Sequence, residues 1–543
     1  MRSLNESFTM LYVGLIAAVY LRPEYAINSS RTITIIILLS IVAISKLIYR
    51  VFLYPQYFTP LKGIPAPSER HWLKGNAHTI LIETPQELIS RWAKTIPHDG
   101  LLRYYIVGQL ERVVLTSPKA MSEVLVTKAY DFVKPRIVHQ TMGRLIGNGI
   151  LLAEGDVHKA QRKNLMPAFA YRHIKDLYPI FWAKSREMAK IMRRDLDARG
   201  PTEDNVIQLR TYASRTTLDI IGLAGMGHDF DSLANPDNTL YQCYRALFTD
   251  QNLLSRILFM VGVLIGDMRP IQRLPTKRNN VINESRAAVC QVVRQMIREK
   301  KAKMEDPTAD IGVDIISVAM RSGSFEEDNL IDQLMTFLAA GHETTAGALQ
   351  WCVYALCKHP EVQDRLREEV RATLPPMNVE NPEPIEASAI DNLPYLNAVC
   401  NEVLRFHPSV PSTVRIAEKD TTVLGQHIPK GTFFVISAEL LNHMSELWGP
   451  DADKFNPDRW MGPGNAKTGG AINNYAFLTF LHGPHSCIGQ SFSRAELACL
   501  LAAVVGSFKF ELQNPDAKLQ IRRGATVSPL DGVMAKFTPV NGW

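Results

Sequence analysis

Phe480-Leu481-His482-Gly483-Pro484-His485-Ser486-Cys487-Ile488-Gly489-Gln490 is the stretch from which the rest of the chain is read. One cysteine stands between two glycines, with an aromatic upstream and a helix-like apolar stretch downstream. Gly483 and Gly489 allow a tight backbone path close to a large flat ligand. Backbone N–H groups just after Cys487 would point at its sulfur, and a helix beginning near Gln490 would present its positive end there. Both effects stabilise a thiolate. The plainer reading is a buried structural cysteine in a loop.

Four other runs bear on the choice. Ala339-Ala340-Gly341-His342-Glu343-Thr344-Thr345 lies inside an apolar stretch, residues 334–349. Glycine costs about 1 kcal/mol in a helix interior, so its place beside Glu and two Thr argues for a local opening. A Thr hydroxyl there can bond back to the i−4 carbonyl or hold a water. An ordinary buried helix is the alternative. In Glu402-Val403-Leu404-Arg405, the i, i+3 spacing puts both charges on one helix face; a solvated pair is the alternative. Downstream comes Phe455-Asn456-Pro457-Asp458-Arg459-Trp460. Upstream lies Glu154-Gly155-Asp156-Val157-His158-Lys159-Ala160-Gln161-Arg162-Lys163, and Arg415 follows Pro411.

Taken in order, these runs resemble the cytochrome P450 family, from about Pro60 to the C-terminus. The resemblance implies a mainly α fold with small β-sheets, preceded by an N-terminal membrane helix or helices. It implies haem b, with Cys487 as axial ligand of the iron and Phe480, Gly483 and Gly489 bordering the haem. A thiolate ligand favours O–O cleavage. Thr344 would be the oxygen-side hydroxyl and Glu343 the proton source, with Ala340 and Gly341 making room for dioxygen. His158, Arg162, Arg415 and His485 would hold the haem propionates. Glu402, Arg405 and Arg459 would form a buried network under the cysteine loop, a structural role. The sequence departs from the family at Leu481, usually small or polar, at His485, most often Arg, and at His158, usually Trp. The charge of His485 depends on pH near neutrality.

The 543 residues are 46% hydrophobic with a formal charge of +6. That balance, with no zinc-finger, helix-turn-helix or RNA-module signature, argues against nucleic acid. Cysteines 243, 290, 352, 357, 400, 487 and 499 are odd in number and scattered, which speaks against a disulfide framework and for a reducing compartment. Residues 8–21 are apolar but short. Residues 33–45 are apolar and continue to Leu53 if Lys46 and Arg50 snorkel, reaching the roughly 20 residues of a membrane span. One span or two, or a cleaved signal peptide at residues 8–21, stay open. Sequons stand at Asn5 and Asn28. Arg50, Lys62 and Arg70 follow the second apolar stretch, so the positive-inside rule puts the large domain in the cytosol. The expected division is 1–53 anchor, 54–76 proline-rich hinge and 77–543 haem-binding catalytic domain. Residues 101–115 read as a hairpin around Gly108, and His359-Pro360-Glu361 opens a helix. Leu253–Ile265 is a second apolar island, read as a core helix in preference to a surface dipping into the bilayer.

The resemblance implies insertion of one oxygen atom of dioxygen into a lipophilic small molecule, the other leaving as water. It looks like the microsomal, fungal type, which implies the endoplasmic reticulum membrane and secondary metabolism. The sequence has no glycine-rich nucleotide fingerprint and 56 residues after Cys487, so electrons are expected from NADPH through a separate cytochrome P450 reductase. Lys159, Arg162, Lys163, Arg172 and Lys175 are candidates for its docking face. Substrate contacts are expected near residues 138–151, 336–340, 410–414 and 527–532. Two rivals are a haem-thiolate isomerase or dehydratase without a reductase, and a non-enzymatic membrane haem protein. The Glu343–Thr344 pair argues against both.

Overall fold

The computed structural model describes residues 10, 13, 14, 17, 20, 21, 24, 30–80, 85–200, 204–247, 253–306, 314–379 and 383–543. Most of the 8–21 run and both sequons lie outside these residues. The second apolar run forms a helix, Arg31–Ile48. Ser30 caps it, and the hydroxyls of Thr34 and Ser40 donate to the carbonyls of Ser30 and Ile36. Those bonds satisfy polar groups inside the helix, as a lipid environment requires. The helix does not stop at Leu53. It widens into π-type turns over Tyr49–Phe58 with Pro55 inside. Val51 and Pro55 are buried, and Phe52 stacks on Trp72 at 5.5 Å, so this last part packs on the body of the protein. Arg31–Phe58 is the one described helix long and apolar enough to cross a membrane.

The body is mainly helical. Its axis is the central helix, Glu327–Lys358, with Glu327 and Asp328 in its first turn and Lys358 in its last, charges that oppose the helix dipole. It packs against Leu209–Ile220, Lys277–Glu305 and the cysteine helix, Gln490–Ser507. The cysteine helix is buried from Ala495 to Ser507 and rests on Tyr178–Asp197 and Pro360–Thr373. Pro360 opens its helix as expected, with His359 as cap.

A five-stranded sheet flanks the helices. Its spatial order is Leu101–Ile106, Leu110–Leu115, Phe433–Ser437, Ser412–Ala417, Phe132–Val133. The first two form the expected hairpin, turning through Gly108 at φ 72°. A three-stranded sheet and two short hairpins complete the β structure. One of these hairpins, Ile521–Arg523 with Val527–Pro529, packs on the central helix.

Leu253–Ile265 is not a core helix. Gly262 is its one buried residue, while Leu253, Leu254, Ile257 and Ile265 are more than half exposed. Apolar composition alone does not distinguish a core helix from one that faces lipid.

Candidate active site

The cysteine loop turns at Leu481, whose φ is 55°. A left-handed backbone is uncommon at such a residue. Its side chain packs against the core beneath the five-stranded sheet. Gly483 has φ 76°, and a Cβ there would collide with the Leu125 carbonyl. Cys487 N–H then donates to the Phe480 carbonyl at 2.8 Å and Ser486 N–H to the Gly483 carbonyl at 3.0 Å. These bonds deliver the thiol to the foot of Gln490–Ser507.

Cys487 keeps solvent-accessible surface within a loop otherwise half-buried. Burial pushes its thiol up, while the Gly489 N–H and the Arg162 guanidinium pull it down; the net direction is up. The sequence reading counted the helix end and the N–H groups and left out burial, which is the larger effect in the protein alone.

Arg162 comes from Gly155–Leu165. Its guanidinium donates to the Ser486 carbonyl at 2.7 Å and to Ser486 Oγ at 3.1 Å. It therefore ties the cysteine loop to this helix. His158, on the same helix, stacks on His485 with ring centroids 3.9 Å apart, and Tyr130 Oη lies 3.2 Å from His158 Nδ1. Burial, then neighbouring Lys134 and Arg162, holds His158 down to about 4. Burial, then His158 and the same cations, holds His485 lower still. In the protein without haem, burial and neighbouring cations disfavour the charged form of both rings. Arg415 is buried and donates to Thr413 Oγ1 and the Val414 carbonyl.

The residues fit a flat anionic group. Lys134, Arg162 and Arg415 gather here, met by the Glu154 carboxylate, with Lys134 Nζ at 3.4 Å and His485 Nε2 at 3.9 Å from it. His485 Nε2 is buried without a hydrogen-bond partner. At Gly489 a Cβ would meet only Phe169, at 3.9 Å, so the protein itself does not demand glycine there. An accessible thiol, surplus cations and an open glycine face together suit haem.

On the central helix, Ala340 is exposed although Ala339 before it and His342 two residues on are buried. At Gly341 the missing Cβ admits Ile221, whose atoms would lie 2.9 Å away. Thr344 Oγ1 donates to the Ala340 carbonyl at 2.8 Å. His342 turns into the core, donating from Nδ1 to the Leu338 carbonyl and packing edge-on against Tyr244. Glu343 ion-pairs with Arg522, a partner 179 positions away that no local motif signals. Two of the expected substrate segments converge on this helix. Thr336 donates to the Ile146 carbonyl at 3.0 Å, and Trp351 to the Val527 carbonyl at 3.1 Å.

Glu402, Arg405 and Arg459 do come together. Glu402 and Arg405 are fully buried and paired through both carboxylate oxygens, at 2.7 and 2.9 Å. Glu402 also accepts from Arg459 Nε, Trp460 Nε1 and the Asn456 N–H. Asp451 balances Arg459 at 2.9 Å. Asp451 was missed in the sequence, since it is distant from the Glu-x-x-Arg pair and carries no spacing signal, and the bond from the Trp460 indole was not foreseen although its run was.

Comparison with known proteins agrees with this geometry. The Cytochrome P450 family model matches residues 65–536. The chain is 63% identical over the full length of both proteins to cytochrome P450 monooxygenase sphH of Aspergillus fumigatus. It is 40% identical to cytochrome P450 monooxygenase FUM15 of Gibberella moniliformis and 39% to FSL4 of Gibberella zeae, covering 92% and 91% of each chain. A cysteine loop pinned by Arg162, a cation cluster facing it and a full-length match leave one assignment: this chain belongs to the cytochrome P450 family and is a haem monooxygenase.

Proposed function

We propose that this monooxygenase oxidises a lipophilic small molecule in fungal secondary metabolism, with Cys487 as the axial ligand of haem iron. The observation that carries this reading is the accessible Cys487 thiol, with Arg162 bonded to its loop and the Lys134–Arg162–Arg415 cluster around it. Haem bound through cysteinate supplies oxygen activation, and the thiolate favours O–O cleavage. The chain's own residues do the rest. Arg162 fixes the loop and offsets the charge of the thiolate. Arg415, Lys134, His158 and His485 bind the propionates. Thr344 holds the proton-transfer position on the central helix, supplied by Glu343. Glu402, Arg405 and Arg459 keep the segment beneath the haem rigid. The apolar and small residues at 138–151, 336–340, 410–414 and 527–532 select a lipophilic substrate and exclude water.

Electrons arrive from NADPH through a separate reductase. Lys159, Lys163, Arg172 and Lys175 are exposed and form a basic face for it, so docking should weaken with salt. Arg162 leaves that set, its guanidinium being engaged with Ser486. The Arg31–Ile48 helix anchors the enzyme in the endoplasmic reticulum membrane with the body in the cytosol, as Lys46, Arg50 and Lys62 at its trailing end favour. The exposed Leu253–Ile265 helix adds lipid contact. The test is the carbon monoxide difference spectrum of the reduced protein beside Cys487→Ser. A strongly red-shifted Soret band lost in the variant supports thiolate ligation; a band of the nitrogen-ligated type sinks it.

A further inference from the structure

The proton source of the central helix is not free-standing. Glu343 pairs with Arg522, and the two side chains are 11% and 7% exposed. Arg522 belongs to the hairpin Ile521–Arg523/Val527–Pro529. The same hairpin grips the helix one turn further on. Val527 N–H donates to the Ser409 carbonyl at 2.8 Å, Ser409 Oγ donates to the Thr344 carbonyl at 3.0 Å, and Trp351 Nε1 donates to the Val527 carbonyl. Gly347 lets the hairpin approach, with the Val527 carbonyl and Ser528 about one van der Waals contact from where a Cβ would stand. Glu343 and Thr344, adjacent in sequence, are thus each tied to this one hairpin.

His342 does not serve as the counter-ion. Its Nε2 is 3.9 Å from Glu343, and burial holds the ring below its ordinary range, so it is neutral near pH 7. A largely covered carboxylate is held best by a paired cation, and Arg522 is that partner. We propose that Arg522 is a positioning residue for Glu343, fixing the acid's direction so that proton supply at Thr344 depends on the seating of the C-terminal hairpin. This rests on the reading of Glu343 and Thr344 as the proton path. The reaction consumes one dioxygen, two electrons and two protons for each oxygen inserted, releasing one water. When protons arrive late, two electrons and two protons leave as hydrogen peroxide instead. Because residues 527–532 are also an expected substrate contact, a ligand that shifts the hairpin would move Glu343 with it.

The experiment compares full-length wild type, Arg522→Gln, Arg522→Lys, Glu343→Gln and the double Gln variant, each loaded with haem and supplied with reductase and NADPH. Peroxide released per NADPH oxidised is read with dodecanoic acid as lipophilic probe and without it. Glu343→Gln should raise that ratio several-fold. Arg522→Gln should raise it nearly as much, Arg522→Lys less, and the double variant no more than Glu343→Gln alone. A second readout needs no turnover: the thermal midpoint loss caused by Arg522→Gln should largely vanish in the Glu343→Gln background, since interacting sites are non-additive. If Glu343→Gln raises peroxide and Arg522→Gln does not, the positioning role is overturned while the proton path stands. If Arg522→Gln acts equally in both backgrounds, its role is structural only. If Glu343→Gln changes nothing, the proton path itself is wrong.

Discussion

Asn442 ties Arg405 to the approach of the cysteine loop. Its amide donates to the Arg405 carbonyl at 2.9 Å and to Thr479 Oγ1 at 2.9 Å, and its oxygen accepts from Leu478 N–H at 2.9 Å. The residue is fully buried. Asn442→Leu keeps approximate volume but strands three partners, each worth about 1–3 kcal/mol when left unsatisfied. The expected outcome is a lower thermal midpoint together with reduced haem retention through gel filtration, with Asn442→Asp closer to wild type in neither.

Glu402→Gln removes the one carboxylate shared by Arg405 and Arg459 and leaves two guanidinium groups in the core. Breaking a buried charge network costs about 3–5 kcal/mol. Soluble expression and haem content should both collapse, measured by the yield of protein with the red-shifted carbon monoxide band. Unchanged yield would remove the network from any supporting role.

The two glycines of the cysteine loop should behave differently. Gly483→Ala meets the Leu125 carbonyl and a positive φ, a conformation that alone costs about 1–2 kcal/mol. It should destabilise the haem-free protein. Gly489 has φ −86° and room for a Cβ. Gly489→Ala should leave haem-free stability nearly unchanged and lower haem uptake, as read by haem titration of the apoprotein. Equal haem affinity would mean the group does not lie against that backbone.

The contrast between these glycines marks what a sequence can convey. Local signals were legible: the hairpin around Gly108, Pro360 opening a helix, the cysteine loop and its order relative to Glu402, Arg459 and the Glu343–Thr344 pair. Contacts made across the fold were not. Arg162 to Ser486 spans 324 positions and Arg522 to Glu343 spans 179, and no spacing rule reaches that far. At Gly341 the polar neighbours did not signal that Ile221 packs against the missing Cβ. The downward shifts of His158 and His485 follow from burial among cations, which composition does not reveal.

Histidines of the core set an acid limit. Burial first, then His443 and Arg405, holds His407 down to about 3; burial, ahead of its bond to the Glu439 carbonyl, holds His443 down to about 4. His407 stacks on Trp351 at 4.3 Å. In the unfolded chain each titrates near 6.5. The folded values are depressed, so the unfolded state binds more protons below that pH, and stability falls as pH falls. The contribution is intact above about pH 6.5 and is lost toward pH 4, at about 1.4 kcal/mol for each pKa unit of depression. Urea midpoints should decline across that window, and decline more steeply there than between pH 7 and 8. His407→Phe, which keeps the stacked ring, should flatten part of the slope.

The exposed Leu253–Ile265 helix should bind lipid without the N-terminal anchor. The turn Val107–Gln109 touches both regions: it contacts Tyr49–Phe58, and a Cβ on Gly108 would lie 3.6 Å from Leu264 Cδ2. The trailing end of the anchor and the apolar helix therefore flank one turn, on the side of the body from which the anchor emerges. Leu253, Leu254, Ile257 and Ile265 are 74, 57, 52 and 61% exposed, and apolar side chains gathered in this way mark an interaction surface. Full burial of each such side chain is worth about 1.5–3 kcal/mol, so even partial insertion of the four should hold the body on a bilayer. A chain lacking residues 1–48, which keeps the packed Tyr49–Phe58 segment, should float with phosphatidylcholine vesicles. Adding Leu254→Asp and Ile257→Asp should return it to the soluble fraction with its carbon monoxide spectrum unchanged. Flotation unaffected by the two aspartates would place the lipid contact elsewhere on the surface.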